Sequence, residues 1–195
     1  MVYESGLTVR IAPALVERAK QLARDMSRLS TYDVLGVTPK SVLRIALTEG
    51  AGMVENVDPK YFKPEEAERL KKELHVNPLN VMLKADSYTD LVFTRAVLAH
   101  GRVNAAATES EAKETSVDLR LPKRLLDRVS RAIQKGVKGG ISSSSSVVRI
   151  IVEVGLVRLE AKVYWELKKE GWDEDKTERR RRGKAGRPRA TTSSS

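Results

Sequence analysis

Two short stretches, near opposite ends of the chain, alternate apolar and polar residues. In the first, Leu7, Val9 and Ile11 alternate with Thr8 and Arg10; in the second, Val117, Leu119 and Leu121 alternate with Ser116, Asp118 and Arg120. A period of two predicts a strand with one apolar and one polar face. Because such short strands are not stable alone, the pattern predicts that the two pair with each other and share a polar working surface.

Each strand is followed by a proline and by apolar residues at helical spacing. We expect Pro13 and Pro122 to occupy the first helical position, which tolerates proline. The first apolar stripe comprises Leu15, Ala19, Leu22, Met26 and Leu29; the second comprises Leu125, Leu126, Val129 and Ile133 and ends at Gly136. These stripes predict one amphipathic helix after each strand.

A second, more apolar helix follows in each half and begins at a hydroxyl residue. Thr38 precedes Pro39, the pattern of an N-cap before proline, and serines 142–146 offer several caps in the second half. The segment from Val147 is rich in β-branched residues, which favours a buried strand by propensity alone. Charges that continue at helical spacing as far as Leu167 predict a helix instead.

The two halves of the chain match each other. Val42–Leu47 aligns with Val147–Val152, and Gly50 aligns with Gly155, at an offset of 105 residues. The strands align at an offset of 110, because the first half has five extra residues near Tyr32–Val37. Repetition of strand, helix and helix predicts a duplicated unit.

This repeated unit resembles the ribbon-helix-helix fold of the Arc and methionine repressors. Two copies on one chain are similar to the TraY type, in which both halves of the dimer are joined. The resemblance implies a mainly α fold with a short antiparallel β-ribbon, whose two repeats form one intramolecular pseudo-dimer. The predicted organisation is a first repeat at 1–55, a partly helical connector at 56–114, a second repeat with an extended last helix at 115–172, and a disordered basic tail at 173–195. A connector of this length also permits pairing between chains.

The resemblance implies that the ribbon enters the major groove of duplex DNA, where base edges are distinguishable. The implied base-reading residues are Thr8, Arg10, Ser116, Asp118 and Arg120. An arginine can bond O6 and N7 of guanine together. A carboxylate at position 118 is repelled by phosphates unless it accepts from cytosine N4 or pairs with an arginine. We therefore expect an asymmetric or imperfectly repeated DNA site.

The resemblance also implies that the amino-terminal amides of each second helix hold a backbone phosphate, which the helix dipole favours. The implied phosphate-binding residues are Thr38 and Lys40 in the first repeat, and Ser143, Ser144 and Ser145 in the second. The serine run is equally compatible with a plain capped linker.

The net charge of +10 lies mostly in the tail, where residues 176–195 carry eight basic groups and one acidic group. This excess indicates an anionic partner without locating its site. The basic residues concerned are Arg179, Arg180, Arg181, Arg182, Lys184, Arg187 and Arg189. Gly186-Arg187-Pro188 resembles an AT-hook, which places arginine in the narrow minor groove of A·T-rich DNA. The alternative is a disordered tail that adds sequence-blind affinity.

No residue pattern predicts an enzyme, a metal site or a cofactor. The absence of cysteine excludes thiolate ligands and disulfides and fits a reducing cytoplasm. His75 and His100 have no accompanying ligand pattern, and Trp165 and Trp172 are expected to pack or to contact the connector. No secretory signal is visible, and the longest apolar run, Val147–Val157, is too short to cross a bilayer. We expect a cytoplasmic, nucleoid-associated protein.

The sequence therefore predicts a sequence-specific duplex DNA-binding protein, and the resemblance favours a transcriptional repressor as the commonest role in that family. A plasmid-transfer or partition accessory protein is a close alternative, because the tandem arrangement resembles TraY. An antitoxin-like interaction module that engages a protein partner through 56–114 is an alternative of another class. Self-association on adjacent DNA sites is a further possibility.

Overall fold

The computed structural model describes residues 4–29, 36–76, 85–100 and 115–171. In chain order the elements are β1 (Glu4–Ile11), α1 (Pro13–Met26), α2 (Pro39–Asn56), a short 3₁₀ helix (Pro59–Phe62), α3 (Pro64–Val76), α4 (Ala85–His100), β2 (Thr115–Pro122), α5 (Lys123–Gly139) and α6 (Ser144–Lys169). The described chain is mainly helical with one two-stranded antiparallel sheet, which confirms the predicted fold class at that level.

The two strands pair with each other within one chain. β1 and β2 are antiparallel, and Thr8 lies opposite Asp118 in their register. Alternate residues face the core: Val9, Ile11, Val117, Leu119 and Leu121 are buried. The polar residues between them are exposed, as the pleat of a strand requires. The predicted pairing and the shared polar face are confirmed.

The first helix of each half follows its strand directly. Pro13 opens α1 as predicted, whereas Pro122 is the N-cap of α5, which begins at Lys123. The predicted α1 stripe is completely buried: Leu15, Ala19, Leu22, Met26 and Leu29. In α5 only Val129 of the predicted stripe is fully buried; Leu125, Leu126 and Ile133 are partly buried against the core.

The end predicted for α5 at Gly136 is wrong by three residues. A Cβ atom at Gly136 would lie 2.7 Å from both methyl groups of Val147, so this glycine permits close packing of α6 against α5. The helix ends at Gly139, and Gly140 follows with φ of 118° in the left-handed region that glycine favours. The amide N–H of Gly140 donates to the carbonyls of the last turn, which completes the cap.

Hydroxyl caps begin both second helices, as predicted. The Thr38 side chain accepts from the Ser41 amide at 3.2 Å, and the Ser41 hydroxyl accepts from the Thr38 amide at 2.8 Å. The Ser143 side chain accepts from the Ser146 amide at 3.1 Å. The segment from Val147 is helical despite its β-branched residues, because burial of its side chains outweighs intrinsic propensity.

α2 and α6 cross at two glycines that lie against each other's backbone. A Cβ atom at Gly50 would overlap the carbonyl oxygen of Ile151, and one at Gly155 would overlap the carbonyl oxygen of Ala46. At the offset of 105, Gly50 corresponds to Gly155 and Ala46 to Ile151, so the two contacts are reciprocal. In an isolated helix these glycines would only weaken α2 and α6. At the crossing they allow the two backbones to touch.

Ion pairs join the first helix of each half to the second helix of the other; besides the two pairs below, Arg131 of α5 lies 3.4 Å from Glu55 of α2. Arg18 of α1 donates twice to the Glu160 carboxylate of α6, at 2.9 and 2.8 Å, and this hydrogen bonding raises the pKa of Arg18. Arg128 of α5 donates to Glu55 of α2 at 2.8 Å. Arg128 corresponds to Arg18, and Glu55 to Glu160, so these pairs are also reciprocal.

The segment between the two halves packs against the second half. Phe62 of the 3₁₀ helix and Phe93 of α4 are fully buried and meet edge to face, with ring centroids 5.1 Å apart. The Phe62 ring lies against Gly139, at the end of α5. α4 packs along α6, where His100 Nε2 and a Glu153 carboxylate oxygen are 2.5 Å apart. The described part of the connector thus shares one core with both halves.

The contact between His100 and Glu153 makes stability sensitive to acid. The hydrogen bond from His100 is the main cause that lowers the pKa of Glu153 below its ordinary value of 4.5. Because the folded state favours the ionised carboxylate, this stabilisation is complete above pH 4.5 and is lost as the pH falls through the lower folded value. We expect urea unfolding to show a shallower loss of stability below pH 4.5 in Glu153→Gln than in the parent chain. The exposed carboxylate variant Glu17→Gln should follow the parent profile; identical profiles for all three proteins would refute this coupling.

Candidate nucleic-acid interface

The centre of the exposed ribbon face is a hydrogen-bonded pair. The Thr8 hydroxyl donates to a carboxylate oxygen of Asp118 at 2.6 Å across the two strands. The sequence had suggested cytosine or an arginine as the partner of this carboxylate, whereas the folded chain supplies a threonine. Thr8 and Asp118 correspond to each other at the strand offset of 110.

Two arginines flank this centre, one on each strand. Arg10 lies opposite Ser116, and Arg120 lies opposite Gly6. The two arginines are therefore four register positions apart, or roughly 13 Å along the ribbon at about 3.3 Å per residue. Both are exposed. Each arginine lies two register positions from the Thr8–Asp118 pair, so the two are placed symmetrically about it.

The residue opposite each arginine is small. Ser116 is exposed, and a Cβ atom added at Gly6 would meet nothing within 4 Å. Gly6 is therefore not required for packing of the chain itself. Because Gly6 has no side chain, the backbone opposite Arg120 is left uncovered on the ribbon face.

The predicted phosphate-binding residues lie at the starts of the two second helices. Lys40, Ser144 and Ser145 are exposed in the first turns of α2 and α6. The hydroxyls of Thr38 and Ser143 already serve as helix caps, so an anion there would meet backbone amides first. The caps take the amides of Ser41 and Ser146, and Pro39 has no amide hydrogen, so the first-turn amides that helix geometry leaves for a phosphate are those of Lys40, Ser144 and Ser145.

Two further cations at the ribbon end were not singled out from the sequence. Lys123 and Arg124 are exposed in the first turn of α5, directly after β2. Positive charge at a helix amino terminus is unfavourable for the helix itself, so helix stability does not explain them. Their counterparts in the first half are Pro13 and Ala14, and the basic charge next to the ribbon is therefore one-sided. The sequence feature that could have identified Lys123 and Arg124 is this difference in charge between the two halves.

The tail residues predicted to contact DNA lie outside the described residues. They are Arg179, Arg180, Arg181, Arg182, Lys184, Arg187 and Arg189. Trp172 lies outside them as well. Trp165 is 64% exposed, so it is not buried in the core; the alternative contact with the connector stays a prediction, because part of the connector lies outside the described residues. Trp165 meets only its neighbour Tyr164 among the described aromatic rings, with centroids 5.8 Å apart.

No protein-family model, curated protein or solved structure matches this chain. Within the described ranges, no group of three or more histidine, aspartate or glutamate side chains is placed to hold a metal ion. In those same ranges no single helix is both long enough and apolar enough to cross a membrane.

Proposed function

We propose that this chain is a tandem ribbon-helix-helix protein that binds duplex DNA sequence-specifically through its β-ribbon. The observation that carries the proposal is the register of β1 and β2, which is centred on Thr8 and Asp118, the two residues that correspond in the duplicated sequence. A ribbon of this kind fits the major groove, where donors and acceptors distinguish all four base pairs.

Three sets of contacts support one intramolecular pseudo-dimer. They lie in the ribbon, at the crossing of the second helices and between first and second helices. In the ribbon, Thr8 lies opposite Asp118. At the crossing, Gly50 lies against Ile151 and Gly155 lies against Ala46. Between first and second helices, Arg18 pairs with Glu160 and Arg128 pairs with Glu55. Each set is unchanged when the halves are exchanged, as expected for a pseudo-two-fold axis. The halves of such a dimer present their readers in opposite directions.

The ribbon geometry predicts the form of the DNA site. Arg10 and Arg120 are roughly 13 Å apart along the ribbon, which matches about four base-pair steps of 3.4 Å. Because the two strands run in opposite directions, we expect two guanines on opposite DNA strands at about this spacing. The two halves supply different residues to the centre of the ribbon, Thr8 and Asp118, and the Asp118 carboxylate can accept from cytosine N4. The expected site is an imperfect inverted repeat.

Selection from a random duplex library at near-physiological salt tests this function. Full-length protein should retain an imperfect inverted repeat with two G·C pairs about four steps apart. The Arg10→Ala/Arg120→Ala double variant should lose this motif while remaining folded. Enrichment of A·T-rich DNA that is unchanged in the double variant would assign recognition to the tail, and failure to retain any duplex would refute DNA binding.

The basic tail has a different predicted effect from the ribbon. Deleting residues 176–195 removes eight basic groups and one acidic group, which should weaken binding to selected and random duplexes alike. Titrations between about 50 and 200 mM salt should give a shallower dependence of log K on log salt in the deletion. Loss confined to A·T-rich duplexes would instead support an AT-hook. A slope unchanged by the deletion would show that the tail does not contact DNA.

The biological role that we propose is transcriptional regulation in the cytoplasm, with the protein bound to chromosomal or plasmid DNA. Occupancy of an operator by the ribbon would exclude other proteins from the same groove. Phosphate contacts at the starts of α2 and α6, at Lys40, Ser144 and Ser145, would fix the register of the ribbon on the duplex. Lys123 and Arg124 would add backbone contacts on one side only.

A further inference from the structure

An open cleft of 680 Å³ lies where α2, α5, α6 and the 3₁₀ helix meet. Clefts of this volume accommodate small molecules. Its wall is largely polar and includes Thr48, Glu49, Gly52, Tyr61, Arg128 and Arg158. The cleft therefore brings together a helix of the first half, two helices of the second half and the connector.

Two arginines of the cleft are held so that their outer edges remain available. Arg158 pairs through Nε with Glu49 at 3.2 Å, and Arg128 pairs through Nε with Glu55 at 2.8 Å. The contacts of both arginines with these carboxylates are made through Nε, and Arg128 Nη2 lies against the α2 backbone at Gly52. A guanidinium fork binds a carboxylate or phosphate through two parallel hydrogen bonds.

The carboxylates near the cleft have cationic partners. Glu49 also pairs with Lys162 at 3.0 Å. Asp58 pairs with Lys60 at 3.0 Å, and hydrogen bonds from Lys60 lower the pKa of Asp58. The lining itself carries two arginines and two carboxylates, Glu49 and Asp58. With the adjacent Lys60, Lys162 and Glu55, four cations lie near three carboxylates, so the field around the cleft favours an anion.

Gly52 sets the position of the Arg128 guanidinium. A Cβ atom at residue 52 would lie 2.5 Å from Arg128 Nη2 and 3.1 Å from its Cζ. The guanidinium therefore lies directly against the α2 backbone, where a side chain would displace it. Glu55, one turn further along α2, holds the same group from its Nε side.

The corresponding region on the other side of the molecule is covered. Thr48 of the cleft corresponds to Glu153, which contacts His100 of α4, and Gly52 corresponds to Val157. The connector thus occupies one side of the pseudo-dimer, while its 3₁₀ helix only borders the cleft on the other. The cleft is open because the connector covers only one side of the pseudo-dimer, so the duplication alone does not account for it.

We propose that the cleft binds a small organic anion that carries carboxylate or phosphate groups, clamped between Arg128 and Arg158. The inference goes beyond DNA binding and does not depend on it. α2 is 18 residues or roughly 27 Å long, and the cleft lies along its carboxyl-terminal half, remote from the proposed phosphate site at its start. A bound anion would link both halves to the connector.

Isothermal titration of the full-length protein with citrate and with pyrophosphate, at constant ionic strength set by sodium chloride, tests the proposal. We expect saturable binding of one anion per chain. Arg158→Gln and Gly52→Ala should each weaken it at least tenfold. Gly52→Ala preserves net charge and replaces glycine within a helix, so it should fold at least as well as the parent. Lys169→Gln, which removes an α6 charge outside the cleft, is the matched control and should bind normally.

Three results would overturn the proposal. The first is heat that does not saturate with either anion at constant ionic strength. The second is equal weakening by Arg158→Gln and Lys169→Gln, which would indicate a diffuse ion atmosphere. The third is stoichiometric displacement of the anion by duplex DNA, with Gly52→Ala losing DNA affinity to the same extent, which would make the cleft a DNA phosphate contact. If Arg158→Gln fails to fold in thermal melts by circular dichroism, Gly52→Ala alone decides between these outcomes.

Discussion

Gly155→Ala is expected to lower the free energy of unfolding by about 3 kcal/mol, the upper range for overpacking a core. The added methyl group would overlap the carbonyl of Ala46, a backbone atom inside α2 that cannot move without separating the two helices. Gly50→Ala should cost a similar amount, because its methyl group meets the corresponding carbonyl of Ile151. Urea unfolding followed by circular dichroism measures both effects.

Gly52→Ala is the matched control for this experiment. It lies on the same helix, two residues from Gly50, but its methyl group would meet only the outer end of the Arg128 side chain. We expect it to be neutral or to stabilise the chain by up to about 1 kcal/mol, the helix-propensity difference between alanine and glycine. Equal stability of Gly155→Ala and Gly52→Ala would contradict the close crossing of α2 and α6.

Arg10→Ala and Arg120→Ala are each expected to cost about 1–3 kcal/mol of binding free energy on the selected DNA site. Each guanidinium is proposed to contact one guanine, so each variant should relax preference at a single position. The two positions should lie in opposite halves of the site, because the arginines flank the Thr8–Asp118 pair in the register. Competition titrations against duplexes with single substitutions measure these preferences.

The control for the ribbon variants is Arg24→Ala, an exposed arginine in the last turn of α1. This variant removes the same charge, but at a position about 17 Å along α1 from the start of that helix. It should leave both the DNA affinity and the base preference nearly unchanged. If Arg10→Ala weakens selected and random duplexes equally, the residue contacts phosphate and does not read a base. If Arg24→Ala matches the ribbon variants, general charge accounts for all three effects.

Sequence periodicity correctly predicted features that depend on a single strand or helix. The alternation around Val9 and Val117 predicted both strands and the exposure of the residues between them. Thr38 predicted the start of α2, and the serine run 142–146 predicted a capped start for α6 near Val147; α6 begins three residues earlier, at Ser144 after the Ser143 cap. These features are local, so they can be read before any tertiary contact is known.

Periodicity did not predict features that depend on contacts between residues distant in the sequence. Gly136 resembles a helix stop, but α5 continues through it, and the glycine is there because Val147 of α6 packs against its backbone. The exposure of Trp165 could not be predicted, since a large aromatic residue is normally packed. The open cleft at Arg128 also lacks a sequence signal, because its walls come from four elements.

Patterns in the sequence were enough to predict the order of strand, helix and helix in each half, the polar face of the ribbon and the candidate readers on it. The sequence also predicted that the two strands pair, but their pairing within one chain and the register with Thr8 opposite Asp118 came from the folded structure. The folded structure also decided that Gly50 and Gly155 lie at a helix crossing. The physical reason is that periodicity reports which face of an element is buried, whereas register and close approach depend on the shapes of both partners.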